Sequence, residues 1–543
     1  MKKKLLPALI VTGLIILVVI IMGITALINK YTPTKKTEDL KEYFNISSDD
    51  EAALIVDNEL SDYKAKIIDK KIYVDYKFVH DSLNSRFYWD ANENVLLYTT
   101  ASDIISAAAD SNSYSVTKQT NDFGYPIVKA TSDSALIALD YVKQYSNITF
   151  KSYDDPARIV ITSKWDEIDS ATVSKSTQVR VKGGIKSPIL KEVKKDDKIT
   201  ILDSGDKWDK VATEDGVIGY IKSKALSESK KNKLTNPDYE EETFTHIKKD
   251  KDICLAWNQV TSQSANSKVP QVISSTKGIN VMSPTWFYLN DNNGNLADIA
   301  SKDYVSYCHS QGIEVWGLFS NFENTDVDAA YVLTHTSTRT TLINQIMSAA
   351  FNYELDGVNI DFENITEAAY GDSYIEFIRE LAIKCHNNGI SLSVDVTVPA
   401  SFNKFFNRSD MANFADYIVI MGYDEHYKGS DAGSVSSIPW VTEGVESTLK
   451  EVPADQIILG MPFYTRIWEL TPKEDDDAVT DTEDQSKYTV ASQVYSMDAA
   501  AAQLATNNAT AALDEESGQN YAEWSVSNKL YKVWLQDSTS LEK

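Results

Sequence analysis

Residues 355–365 read L-D-G-V-N-I-D-F-E-N-I, from Leu355 to Ile365. Val358, Ile360 and Phe362 alternate with Asn359, Asp361 and Glu363, the two-residue period of a β-strand. The three polar residues therefore share one face and the three apolar residues the other. An acidic inner face is costly to bury. That cost is met where chemistry needs perturbed carboxyl groups and seldom in a structural core. The competing reading is an ordinary acidic strand end, with its carboxylates in water.

Such a row suits cleavage of a glycosidic bond. The reaction passes through an oxocarbenium-like transition state and needs a proton on the leaving oxygen and a negative or nucleophilic group near the anomeric carbon. Glu363 is the natural proton donor. Asp361, two residues back on the same face, raises the Glu363 pKa by like-charge proximity, and general acid catalysis needs an acid still protonated near neutral pH.

The run D-G-V-N-I-D-F-E resembles the D-G-x-D-x-D-x-E signature of glycoside hydrolase family 18. By that resemblance the catalytic set is Asp356, Asn359, Asp361, Glu363 and Tyr423, with Glu363 the proton donor. Asp361 then orients and stabilises the substrate's own N-acetyl group, which acts as the nucleophile. Asn359 stands where the family has its middle Asp. An Asn can hydrogen-bond Asp361 but cannot take up charge. The D-G-x-N-x-D-x-E form is similar to the branch of spore-cortex-lytic and germination-associated N-acetylglucosaminidases.

Further segments extend the resemblance. Met421-Gly422-Tyr423-Asp424 resembles the family's M-x-Y-D element, which places Tyr423 at the acetamido group and Asp424 on the sugar. Gly460-Met461-Pro462-Phe463-Tyr464-Thr465-Arg466 resembles its G-x-P-x-Y segment. Tyr464 and Arg466 are thereby expected to line the substrate, with an ion pair as the competing role for Arg466. Trp286 is expected as a sugar-stacking aromatic, although a Trp is more often core. The family's S-x-G-G element is absent from the third strand, where Phe319-Ser320-Asn321-Phe322 stands.

The expected fold is α/β: a (β/α)8 TIM-type barrel, truncated before its eighth strand, over residues 250–543. Expected strands are Ile253–Val260, Ile279–Leu289, Ile313–Asn321, Gly357–Glu363, Ser391–Pro399, Tyr417–Tyr423 and Ile457–Tyr464. The amphipathic stretches Asp303–Gln311, Thr338–Asn352 and Asp372–Asn388 lie between them, which argues for parallel β/α architecture with chemistry at the C-terminal strand ends. After the seventh strand come an acidic loop and a hairpin, Tyr521–Val526 with Leu530–Leu535. A truncated fragment and a degenerate barrel both fit seven strands.

Residues 1–30 are expected to form a cytoplasmic tail and signal anchor. Lys2, Lys3 and Lys4 precede a charge-free apolar run from Leu5 to Asn29, long enough to cross a bilayer, with its positive flank inward. A cleaved signal peptide is the alternative. Residues 31–170 are expected as an extracytoplasmic stalk module of α+β type. Lys71-Ile72-Tyr73-Val74-Asp75 and Phe87-Tyr88-Trp89-Asp90 resemble the N-terminal stalk of bacterial copper amine oxidases, without implying copper. Residues 171–228 resemble a small all-β bacterial SH3-like barrel, with Gly216 suited to a hairpin turn. Residues 229–249 are expected as a linker.

The chain has a net charge of −26 and a pI of about 4.7, which argues against nucleic acid as a partner. Cys254, Cys308 and Cys385 read as small core residues rather than a disulfide framework. No cofactor is expected. The acidic patch Glu474–Asp477 with Asp481, Glu483 and Asp484 lacks the spacing of a calcium loop and reads as solvated, so no metal is expected. Together these readings imply a membrane-anchored, extracytoplasmic and monomeric glycoside hydrolase. Its expected partner is peptidoglycan, spore cortex or another N-acetylglucosamine polymer. A catalytically silent glycan-binding wall protein and a chitinase are the alternatives.

Overall fold

The structure is a computed structural model that describes residues 5–363, 365, 370–473 and 484–543. Of the acidic patch only Asp484 lies among the described residues. Contacts divide the chain into two compact units. One takes in the residues up to Trp89, Ala107–Tyr114 and Thr120–Glu241; the other takes in Asp90–Ser106, Ser115–Gln119 and Glu242–Lys543.

The first unit begins with a helix, Leu5–Tyr31, of 27 residues. Its stretch Leu9–Tyr31 has a mean hydropathy of 2.9. At about 1.5 Å per residue such a helix is long enough to cross a hydrocarbon core of about 30 Å. Two seven-stranded sheets follow. The first runs Thr149–Tyr153, Arg158–Thr162, Glu51–Val56, Glu59–Ile68, Lys71–Asp75, Ala135–Ala138 and Val128–Ala130 in spatial order. The second is antiparallel and holds the strands Thr177–Arg180, Ile189–Val193, Lys198–Asp203, Trp208–Thr213 and Ile218–Lys222.

Gly216 makes the expected turn at φ +82°, and a Cβ there would lie 2.8 Å from Val160 Cγ2. The expected division at residue 170 is crossed by one apolar core, in which Phe44, Ala53 and Ile55 pack with Val179, Leu190, Val211 and Ile221. The expected linker is structured at its start, where Lys230–Lys233 pairs with Glu167–Thr172.

In the second unit seven parallel strands lie in one sheet. They are β1 (Leu255–Asn258), β2 (Val281–Pro284), β3 (Glu314–Ser320), β4 (Gly357–Asp361), β5 (Ser391–Thr397), β6 (Tyr417–Met421) and β7 (Ile457–Gly460), in that order. The sheet curls enough to bring the Trp257 side chain of β1 against β7. A Cβ at Gly460 would lie 2.8 Å from the Trp257 ring. The helices α1 (Lys302–Ser310), α2 (Thr336–Tyr353) and α3 (Gly371–His386) lie close to their expected bounds. Leu342, Ile343, Ile346, Met347 and Ala350 form the buried stripe of α2, at the spacing of one helical face. Glu354, at φ +59°, then ends that helix and turns the chain toward β4.

The alternation read in residues 358–363 is the division between the two sides of this sheet. Val358, Ile360 and Phe362 join the core shared with the helices. Gly357 and Asn359 share the opposite side, where Trp316 packs with Val281 and Tyr417. A Cβ at Gly357 would lie 2.6 Å from the Trp316 ring, so only glycine leaves that indole its place.

Asp90–Ser106, expected in the stalk, belongs to this second unit. Asp90 Oδ2 accepts hydrogen bonds from Thr336 N at 2.7 Å and Thr336 Oγ1 at 2.6 Å, at the start of α2. Thr99 Oγ1 donates to buried Glu376 Oε1 on α3 at 2.8 Å. After β7 the chain forms a separate antiparallel sheet that includes β8 (Tyr464–Pro472), β9 (Tyr488–Ser496), β10 (Gln519–Val526) and β11 (Lys529–Leu535). The last two make the expected hairpin. Cys308 and Cys385 are buried, whereas Cys254 is exposed just before β1, outside the core expected for it.

Candidate active site

Asn359, in the middle of β4, is fully buried. Its Nδ2 donates to Asp395 Oδ1 on β5 at 2.7 Å. Its Oδ1 accepts from Trp257 Nε1 at 3.0 Å and from Ser283 Oγ at 2.9 Å. The amide is thus held by β1, β2 and β5 together, and its orientation follows from Trp257 Nε1, which can only donate. A carboxylate at 359 could accept from Trp257 and Ser283 but could not donate to Asp395 unless protonated.

Asp361 ends β4 on the same face. One of its carboxylate oxygens is buried without a hydrogen-bond partner, and so is Asp395 Oδ2. Two such groups in one water-poor place cannot both ionise cheaply. Burial first, then the charges of Asp395, Glu363 and Glu323, push the Asp361 carboxyl well above the usual range. Asp395 is pushed up to about 8 by burial and by Glu363, against the lowering effect of the Asn359 and Trp257 hydrogen bonds.

Glu363 follows two residues later. Its backbone N–H donates to Asn321 Oδ1 at 3.0 Å, so the departure in the third-strand segment supplies a direct hold on Glu363. Ser320 Oγ, beside it, donates to the Glu323 carboxylate at 2.6 Å. Burial, then the charges of Asp424 and Glu323, raise the Glu363 carboxyl. The residue sits at the strand end with its carboxyl partly buried, and it carries the raised affinity for a proton that an acid catalyst requires.

Tyr423 lies just past β6. Burial and the neighbouring carboxylates keep its hydroxyl protonated. Its ring meets Trp257 edge-on at 6.3 Å and Tyr464 at 6.2 Å. Asp424, at φ +59°, accepts from Tyr464 Oη at 2.7 Å and lies 3.5 Å from Arg466 Nη2. The three residues expected to line the substrate from this side thus form one linked group, and Arg466 makes the ion pair foreseen as its competing role.

Two expected site residues lie elsewhere. Asp356 precedes β4 at its N-terminal end. Its Oδ2 accepts from His309 Nε2 and from Val315 N, both at 2.8 Å. Asp356 lies seven positions before Glu363, roughly 20 Å of extended chain, so it ties strands together at the opposite end of the sheet. Trp286 is fully buried. Its indole donates to Asn266 Oδ1 at 2.7 Å and packs edge-on against Tyr304 at 4.8 Å, which leaves no face for a ligand. Asp395, Glu323, Asn321 and Ser283 were not singled out as site residues from sequence. Asp395 offered one signal, a carboxylate on the inward face of the otherwise uncharged strand Ser391–Thr397.

Residues 319–541 match the family model for Glycosyl hydrolases family 18. The uncharacterized glycosylase YvbX of Bacillus subtilis is 25% identical over 194 residues, 33% of this chain and 55% of that protein. The cortical fragment-lytic enzyme of Bacillus subtilis is 23% identical over 260 residues, 46% of this chain and 57% of that protein. The chain therefore spans little more than half the length of these relatives. Among solved structures, the Bacillus megaterium spore cortex-lytic enzyme SleL aligns with a TM-score of 0.45 at 18% identity, covering 53% of this chain and 65% of that one. A chitinase from Chromobacterium violaceum aligns with a TM-score of 0.45 at 19% identity, covering 53% and 87%.

Proposed function

We propose that the chain is a glycosidase that cleaves N-acetylglucosamine-containing glycan of the cell wall, a reading supported by the match of residues 319–541 to the family model for Glycosyl hydrolases family 18. Peptidoglycan or spore cortex is the substrate favoured by the cortical fragment-lytic relatives. The N-terminal helix supports action outside the cytoplasm, with the helix as anchor. The single observation that carries the reading is the placement of Glu363, a carboxyl with raised proton affinity at the C-terminal end of β4, beside Asp361 and Tyr423.

In the proposed reaction Glu363 protonates the leaving oxygen. The carbonyl oxygen of the substrate's acetamido group attacks the anomeric carbon from the other side and forms an oxazolinium ion. Asp361 stabilises that cation by charge and Tyr423 by hydrogen bonding, which is where preorganised groups contribute most. Glu363, now ionised, takes a proton from water as it attacks, and configuration is retained. Asp424, Tyr464 and Arg466 line the sugar on the β6–β8 side.

The experiment is digestion of purified peptidoglycan and of N-acetylglucosamine oligomers by the detergent-solubilised chain, with products read by mass spectrometry. New N-acetylglucosamine reducing ends that disappear in Glu363→Gln support the reading. A folded wild-type chain that binds the glycan and releases nothing favours the binding-protein alternative.

A further inference from the structure

Asn359 cannot gain or lose a proton, yet it occupies the centre of the site and presents its amide N–H to Asp395. The register of β4 against β5 pairs Ile360 with Val394. The next residues along, Asp361 and Asp395, are therefore neighbours on one face, on strands roughly 4.8 Å apart. Each has a buried oxygen that finds no partner. We propose that Asp395 is a positioning residue that holds the proton Asn359 cannot hold, so that Asp361 meets the substrate as a single carboxylate.

This rests on the proposed hydrolysis. In the resting site the two carboxyls hold one proton between them. When the acetamido group enters, Asp361 accepts a hydrogen bond from its N–H and the proton stays on Asp395. The oxazolinium then faces one negative charge rather than two. When water completes the reaction the pair is unchanged, so no proton is consumed. The titratable groups facing the pair are Glu363 on the same chain segment, Glu323 after β3, Tyr374 on α3 and Tyr423 after β6. The two glutamates raise the pair's proton affinity and both tyrosines stay protonated.

The test uses Asp395→Asn and the exchange Asn359→Asp/Asp395→Asn, which returns the second carboxyl to β4. In Asp395→Asn no neighbouring carboxyl takes the proton in place of Asp361, so the proton binds Asp361 itself. The acidic limb of the kcat/KM profile therefore moves to higher pH, while kcat falls about tenfold, less than for a direct proton donor, with KM within about twofold. The exchange recovers both, which a merely structural role would not produce.

Thermal unfolding supplies a readout independent of turnover. A carboxyl whose folded pKa lies above its unfolded value binds a proton only in the folded state between the two. Stability is then lost as pH rises from about 4 to about 8. Asp395→Asn flattens that loss. If it does not fold, Asn359→Asp carries the test: a third carboxyl steepens the loss. An unmoved acidic limb, an exchange that folds without recovering activity, or an unmoved stability slope overturns the proposal. If the wild type hydrolyses no glycan, the proposed function fails, and the stability slope alone decides where the proton sits.

Discussion

The two ends of β4 carry acidic residues with opposite fates. At its N-terminal end Asp356 has one oxygen that accepts from His309 and from the Val315 amide. At the C-terminal end Asp361 has a buried oxygen with no partner and Glu363 has carboxylate neighbours. Both ends belong to one motif of eight residues. A carboxylate given two donors serves as a joint between strands, and a carboxylate given other carboxylates becomes a proton carrier. The partners supplied by neighbouring strands decide the role, and the residue type does not.

Four substitutions break or sharpen this contrast. Glu363→Gln has the largest expected effect: kcat/KM falls by about a thousandfold or more, within the range for a lost general acid, while the melting temperature is unchanged or rises. Steady-state kinetics on an N-acetylglucosamine oligomer, with calorimetry alongside, measure both. Asp361→Asn is expected to cost about a hundredfold in kcat, the size of one lost electrostatic stabiliser, with KM much less affected.

Asp356→Ala should reverse the pattern. It leaves the Val315 N–H and His309 without their acceptor, which costs about 1–3 kcal/mol of stability, with kcat within about twofold. Denaturant unfolding against turnover tests this, and a kcat loss as large as that of Asp361→Asn contradicts the assignment of the two ends. The smallest effect is a pH shift. The Asp424 charge helps raise the Glu363 carboxyl, so Asp424→Asn lowers it. The acid then loses its proton earlier, and the alkaline limb of kcat/KM moves to lower pH by up to about one unit. A limb that stays in place or moves upward contradicts the coupling.

Much of this was legible in the residues themselves. The period of two in 358–363 separated the side facing the helices from the side facing the site, because each alternate position is either uniformly apolar or uniformly polar. The tyrosine and acid past β6 came from the resemblance of residues 421–424 to the family's M-x-Y-D element. Asp356 was misread because membership in a motif says nothing about which end of a strand a residue occupies, although its position before Gly357 held that information.

Trp257 and Trp286 show a harder limit. Both sit near strand ends, and only the fold reveals that one indole donates to Asn359 while the other donates to Asn266 in the outer core. Asp395 showed in the sequence only as a lone carboxylate in an uncharged strand, for a related reason. Its meaning comes from the register of β5 against β4, a non-local pairing that no local pattern encodes.

The most direct measurement is the anomeric configuration of the first product, followed by proton NMR as a β-linked N-acetylglucosamine oligomer is cleaved. The account predicts that the β-anomer appears first and that Glu363→Gln forms neither anomer at a comparable rate. An α-anomer formed first, or undiminished cleavage by Glu363→Gln, would contradict it.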